Sequence, residues 1–218
     1  MDKKKREKFP IAVEGLRISA IALFFALFFF FYKVYYVTAI LLLFFIFNLF
    51  FFRNPKRVSP SGKGIVAPAD GEVILIKDTF EERFLKKDVK KISIFMSIFN
   101  VHINRAPYDA EVLKTFHQSG KFFSADLDKA TEENEKNYIH LKTPEGYEIL
   151  VVQVAGLVAR RIICDVKEGD KLNKGDIIGL ICFGSRLDIF LPKNCEIKVK
   201  LKDITRAGET ILGILKDE

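Results

Sequence analysis

The chain has 218 residues, 49% of them apolar, and a formal net charge of +7. That length holds one good-sized domain and an appendage, and neither value is extreme for a globular protein, which sets aside fibrous and disordered classes. The three cysteines, Cys164, Cys182 and Cys195, make no CxxC pair, so there is no disulfide framework and no cysteine metal pattern, and a reducing compartment is the simplest reading.

The phenylalanines are spread unevenly. Of 22, 12 fall between Leu16 and Phe52. Two apolar runs, Leu16 to Tyr32 and Val34 to Phe52, are separated by Lys33. As helices they would be about 25 and 28 Å long, close to the ~30 Å hydrocarbon core of a bilayer. The pattern predicts a basic N-terminus over 1–15 and a two-span transmembrane hairpin over 16–52. "DKKKREK" precedes the first run and "FRNPKR" follows the second, so both ends are expected on the cytoplasmic side. The turn "YKVYY" then faces the other side, with Lys33 snorkelling and Tyr32, Tyr35 and Tyr36 suited to an interface belt. A cleaved signal peptide fits less well, because no small-residue cleavage site follows and a second apolar run comes at once. One long bent or re-entrant segment is the structural alternative. Asn54-Pro55 should end the second helix. Beside membrane spans, the basic ends suit anionic lipid head groups. The chain shows no nucleic-acid motif.

From Arg53 to Glu218 the pattern changes to short β-branched runs: "GEVILI", "KKISIFMSI", "YEILVVQVAGLVARRIICDV", "DIIGLI", "LDIFLP" and "EIKVKL". Gly, Pro, Asn or Asp punctuate most of them, as expected of a mostly β domain. "SADLDKATEENEKN", Ser124 to Asn137, reads as a helical or irregular insert with a solvated face. "VAPADGEV" and "VKEGDKLNKGDIIGLI" have the shape of the barrel-sandwich β-folds of biotinyl and lipoyl carrier domains. The carriers' lysine-bearing hairpin is missing, since Asp128-Lys129-Ala130 sits in the polar insert.

The domain has no HExxH, GxSxG or Walker loop, and no GxGxxG after a strand. His102, His117 and His140 show no metal-ligand spacing. Taken singly, His102 at a strand end, Asp70 in "PADGE" and Ser185 in "FGSR" are each more often structural than catalytic.

Their company changes that reading. "FFRNPKR", "APADGEV", "VHINRAP", "GKFFSADLDKATEENEKN", "VAGLVARRI", "VKEGD" and "FGSRLDIFLP" occur in that order. With the two-span N-terminus they resemble the short, single-domain phosphatidylserine decarboxylase proenzymes over nearly the full chain. "VHINRAP" and "FGSRLDIFLP" are the most specific pieces.

The resemblance implies a covalent pyruvoyl cofactor made from Ser185, and no metal. It implies cleavage between Gly184 and Ser185, giving a β-chain of residues 1–184 and an α-chain of 185–218. Ser185 Oγ would attack the Gly184 carbonyl, where the absence of a Cβ leaves strained geometry accessible. A serine hydroxyl needs a base, and the resemblance gives that role to His102, oriented and charge-stabilised by Asp70. The pyruvoyl carbonyl would then form a Schiff base with the substrate amine, and His102 would protonate the carbanion left when carbon dioxide departs. Longer relatives carry a second histidine where this chain has Phe99, so either that histidine is dispensable in the short class or substrate handling differs, with Phe99 as a candidate substrate contact. Arg186 either contacts the substrate carboxylate or phosphate bidentately or is structural.

The expected partners are a phospholipid in the membrane and the two chains of one proenzyme. The expected location is the plasma membrane with the catalytic domain on the cytoplasmic side. A homo-oligomer stays open. An ether-lipid substrate, archaetidylserine, is chemically equivalent at the serine head group. A second class is a non-catalytic, membrane-tethered carrier or adaptor module.

Overall fold

A computed structural model describes residues 9–121, 133–156, 161–182 and 185–216. The chain divides into two compact units, residues 1–56 and 57–218.

The first unit is a pair of helices, Val13–Phe31 and Tyr35–Phe51. Lys33 takes a left-handed φ of 60° and reverses the chain between them. The first helix turns a stripe of small residues, Gly15, Ser19, Ala22 and Ala26, inward, which lets two apolar helices approach closely. A Cβ at Gly15 would lie 2.3 Å from Phe52 Cβ. Asn48 Nδ2 donates to Gly15 O at 2.8 Å and to Ser19 Oγ at 2.6 Å, so the polar group of the second helix is held by the first. Most phenylalanines of the first helix point outward, with Phe24 64% exposed and Phe31 78%, whereas Phe51 and Phe52 are buried. Val13–Phe31 is long and apolar enough to cross a membrane, whereas Tyr35–Phe51 is a shorter apolar helix. Arg17 stands inside the first helix, so its uninterrupted apolar stretch begins at Ile18.

The second unit is built from strands, as the alternating runs predict. In chain order they are β1 (Gly64–Val66), β2 (Gly71–Glu81), β3 (Lys87–Met96), β4 (Ile103–Arg105), β5 (Ala110–Gln118), β6 (Lys136–Lys142), β7 (Glu148–Ala155), β8 (Ile162–Cys164), β9 (Lys171–Leu172), β10 (Ile177–Ile181), β11 (Ser185–Pro192), β12 (Glu196–Ile197), β13 (Ile204–Thr205) and β14 (Ile211–Ile214). The large sheet has the order β13-β2-β3-β11-β7-β6-β5-β9. Two small sheets, β4-β10-β8 and β1-β14-β12, accompany it.

β11 lies near the middle, antiparallel to β3 on one side and β7 on the other. Both of its faces are covered. Leu187, Ile189 and Leu191 join the main core with Ile92, Ile94, Met96, Ile149, Val151 and Ala155. On the other face, Phe190 packs against a smaller cluster of Leu85, Val89, Leu150, Val152 and Val154. The two Gly-Asp turns form as expected, with Gly169 at φ 85° and Gly175 at φ 88°, where a Cβ would be strained.

The insert expected over Ser124–Asn137 falls mostly outside the described residues. Its last two residues are strand, not insert. Lys136 and Asn137 pair with Val154 and Gln153 in β6–β7, and Asn137 Nδ2 donates to Gln153 Oε1 at 2.9 Å. Charged neighbours in sequence hid a strand start that is buried by its partners.

Candidate active site

One end of the large sheet gathers the candidate residues. Thr205 pairs with Gly71 in β13–β2, and Ser185 pairs with both Met96 and Ala155. Asp70 therefore lies just before the start of β2, and Ser185 opens β11 at the same end. His102 reaches that end by two backbone links. Its carbonyl accepts from Ile181 N at 3.3 Å, at the end of β10, and Arg105 N donates to Pro68 O at 2.9 Å. Ile181 ends a strand of the small sheet and Ser185 opens a strand of the large one. Gly184, the other half of the expected cleavage site, lies outside the described residues, as does Phe183.

Ser185 is fully buried. Its Oγ has no hydrogen-bond partner among the described residues, which costs free energy in a structural serine and leaves the hydroxyl open to reaction. His102 is equally buried, and its Nδ1 lies 3.0 Å from Asn100 O. A carbonyl only accepts, so this contact puts the proton on Nδ1 and the lone pair of the neutral ring on Nε2. Asp70 is 7% exposed. Its Oδ2 pairs with the Arg57 guanidinium at 2.7 Å, and its Oδ1 accepts from Ala207 N at 2.7 Å. Arg57 also pairs with Glu209 at 2.8 Å. Salt bridge and backbone bond together fix the carboxylate in place.

A buried polar chain ties the small sheet to the large one beneath this end. Gln153 Nε2 donates to Asn104 Oδ1 at 2.8 Å, and Gln153 Oε1 accepts from Asn137. Asn104 stands two residues after His102, and Gln153 two residues before Ala155, the partner of Ser185. This chain sets the distance between the histidine segment and the serine strand.

Arg186 and Phe99 go elsewhere. Strand alternation turns Arg186 to the sheet face opposite Ser185. There its guanidinium forms a double contact with Asp188, Nε to Oδ1 at 2.9 Å and a second nitrogen to Oδ2 at 3.1 Å. Lys91 reaches the same carboxylate at 2.8 Å. The ion pair accounts for Arg186 structurally. Burial pushes the Asp188 carboxyl up, but Lys91 and Arg186 outweigh burial and hold it below its ordinary value. Nearby, burial pushes the Lys136 ammonium down. Phe99 sits on the turn after β3 and is 65% exposed.

A family model for phosphatidylserine decarboxylase matches residues 44–213. The chain belongs to the phosphatidylserine decarboxylase family. It is 48% identical over 212 residues to the phosphatidylserine decarboxylase proenzyme of Geotalea uraniireducens (strain Rf4), covering 97% of this chain and 99% of the relative. It is 49% identical over 217 residues to the proenzyme of Geobacter sulfurreducens, again 97% and 99%. The proenzyme of Desulfotalea psychrophila is 44% identical over 205 residues, 94% of this chain and 96% of the relative. Membership makes the chain a decarboxylase of phospholipid biosynthesis.

Sequence reasoning missed Arg57, Asn100 and Gln153. Arg57 lies in a short basic stretch that read only as a membrane flank. Asn100 acts through its backbone carbonyl, which carries no side-chain signature. Gln153 stands in an apolar strand, and a lone amide between Val152 and Val154 was the available signal.

Proposed function

We propose that the protein is a self-processing, pyruvoyl-dependent decarboxylase that converts phosphatidylserine to phosphatidylethanolamine and carbon dioxide. The observation that carries this reading is the position of Ser185. It is a buried hydroxyl with no hydrogen-bond partner among the described residues, at the first residue of a central strand and at the sheet end that also holds Asp70 and His102. A pyruvoyl group fits there, because Ser185 becomes the first residue of the shorter chain once its bond to Gly184 breaks.

His102 acts first on the protein itself. With Nδ1–H donated to Asn100 O, Nε2 takes the Ser185 Oγ proton as that oxygen attacks the Gly184 carbonyl. Asp70, held by Arg57 and Ala207 N, supplies negative charge that favours the protonated imidazole. β-Elimination of the resulting ester frees residues 1–184 and leaves dehydroalanine at residue 185, whose imine tautomer would take up water and release ammonia to complete the group. The pyruvoyl group supplies an electrophilic carbonyl that takes up electrons as carbon dioxide leaves. The proton His102 takes from Ser185 goes to the nitrogen of residue 185 as its bond to Gly184 breaks, and in turnover a protonated His102 supplies a proton to the carbon that lost the carboxylate. The buried setting of His102 and Ser185 limits competition from bulk water for the proton transfers.

The helix pair supports a membrane anchor, with both helices spanning and the catalytic unit on the cytoplasmic side of the plasma membrane. A diacyl lipid buries many methylenes at about 0.8 kcal/mol each, so a decarboxylase held at the interface meets it without extracting it. The two Gly-Asp turns favour a distant barrel-sandwich relationship for the β unit.

The test is intact-mass spectrometry of the purified chain and of Ser185→Ala. The wild type should give two pieces, the shorter blocked at position 185, and the variant one uncut, inactive chain. Turnover by the uncut variant would end the reading. Supplying ester and ether serine lipids in parallel separates phosphatidylserine from archaetidylserine.

A further inference from the structure

We propose that the turns at residues 97–100 and 200–204 form a docking rim that seats the Ser185 end of the large sheet in an anionic bilayer surface. The inference rests on the phospholipid reading of that site and names how the site meets its lipid.

The first turn leaves the Ser185 end of the sheet, and the second lies against Val73 of β2 on the outer edge of the sheet beside that end. Ile204, Glu72, Phe95 and Arg186 form one row across β13, β2, β3 and β11, one residue short of Ser185. The first turn follows Met96, the partner of Ser185. The second runs directly into Ile204.

Among the described residues of 57–216, five large apolar side chains are more than half exposed: Val58, Phe80, Phe99, Leu201 and Ile204. Three of the five are on these two turns, and Ile98 beside Phe99 is 40% exposed. A cluster of this kind at one edge marks an interaction surface.

The turns are held in shape. Asn100 Oδ1 accepts from both the amide and the hydroxyl of Ser97 at 2.8 Å, and Asn100 N donates back to Ser97 O at 2.9 Å. In the second turn, Asp203 Oδ2 accepts from Lys200 N at 2.9 Å. Lys202 N donates to Val73 O at 2.8 Å and Val73 N to Asp203 O at 2.9 Å, which staples the turn to β2. Phe99 and Leu201 are thus presented by rigid loops, and little ordering is left to be done on docking.

Charge chooses the partner. The segment Lys200–Arg206 carries three basic residues, Lys200, Lys202 and Arg206, against one carboxylate, Asp203, while Lys198 before it is paired with Glu196. Lys200 and Lys202 flank Leu201, so an apolar side chain enters between two cations. That pattern suits an anionic lipid surface, and aromatic side chains such as Phe99 suit its interface. The opposite end of the sheet is different. Its charges, Lys87 with Glu148 and Lys193 with Asp88, are paired with each other at 3.1 and 3.3 Å.

The chain has no tryptophan, so a single introduced indole reports on its own position. Phe99→Trp and Leu201→Trp are each placed in the full chain carrying Ser185→Ala, which removes processing and turnover from the readout. The chains are reconstituted in phosphatidylcholine vesicles with and without phosphatidylglycerol, the acyl chains brominated. Tyr147→Trp, at the opposite end of the sheet, is the reference. The rim predicts blue-shifted emission and severalfold stronger quenching at positions 99 and 201 than at 147, increased by phosphatidylglycerol. Equal quenching at all three positions overturns it. In the processing-competent chain, Leu201→Glu with Ile204→Glu should leave self-cleavage intact. It should lose at least tenfold of the turnover of bilayer phosphatidylserine and keep that of a short-chain, monomeric phosphatidylserine. Equal loss on both substrates also overturns the rim. A wild-type chain that decarboxylates neither counts against the decarboxylase reading, and the quenching result then decides the rim alone.

Discussion

The backbone carbonyl of His102 accepts a hydrogen bond from Ile181 N at 3.3 Å, and Ser185 follows four residues later. The proposed base therefore stands directly before β4, bonded to the last residue of β10, and the proposed nucleophile opens β11, the next strand in the chain.

Replacing His102 with Ala should block processing. A gel of freshly expressed protein should show one band where the wild type shows two. Cleavage at the wild-type rate would remove His102 from the processing step and leave Ser185 in need of another base.

Arg57→Ala should slow processing by an order of magnitude or more while the chain still folds. The substitution removes the guanidinium from a nearly buried carboxylate that still accepts from Ala207 N, and a buried carboxylate without its cation is disfavoured as an anion. A time course of cleavage measures this, and Arg57→Lys should restore part of the rate. Equal rates in Arg57→Ala and wild type would show that the Asp70 charge is not used.

Gln153→Leu should cost about 1–3 kcal/mol, because it leaves Asn104 and Asn137 without the amide that joins them. Since this link spaces the His102 segment from the Ser185 strand, cleavage should slow by more than the stability loss explains. Thermal unfolding in detergent and a cleavage time course, run on the same preparation, separate the two effects.

Asp188 sets an acid limit on stability. Burial raises its pKa, Lys91 and Arg186 outweigh burial, and the folded value ends below the ordinary one. A depressed folded pKa contributes stability that is fully present above the unfolded value, about 3.9, and is lost as pH falls through the folded value. Asp188→Asn should cost about 3–5 kcal/mol near neutrality, because it leaves Lys91 and Arg186 buried without their anion. It should also flatten the acid limb of a melting-temperature profile. A variant whose profile still tracks wild type below pH ~4 would place the acid sensitivity elsewhere.

Strand existence was legible wherever apolar alternation was clean. "GEVILI" became part of β2 and "LDIFLP" part of β11. The two Gly-Asp turns were also legible, because only a residue without a Cβ is comfortable at the φ they need. The start of β6 was not. Lys136 and Asn137 look like solvent-facing polar residues until Val154 and Gln153 pair with them. Ser185 and His102 were visible only through their flanking motifs, since a serine after a glycine and a histidine at a strand end are ordinary in isolation. Arg186 was ambiguous for a plain geometric reason. Adjacent residues on a strand face opposite ways, and sequence proximity to Ser185 concealed that Arg186 looks away from it. Arg57 and Asp70, thirteen residues apart, meet only because the chain between them turns, and no local pattern encodes that.

β11 begins at Ser185 and is zipped along its length between β3 and β7. A break just ahead of it cuts the polypeptide without releasing either fragment, because the shorter one is already the spine of a sheet whose other strands belong to the longer one. A molecule nicked there cannot trade its tail piece with a neighbour short of melting, and it keeps throughout its working life the fragment with which it was synthesised.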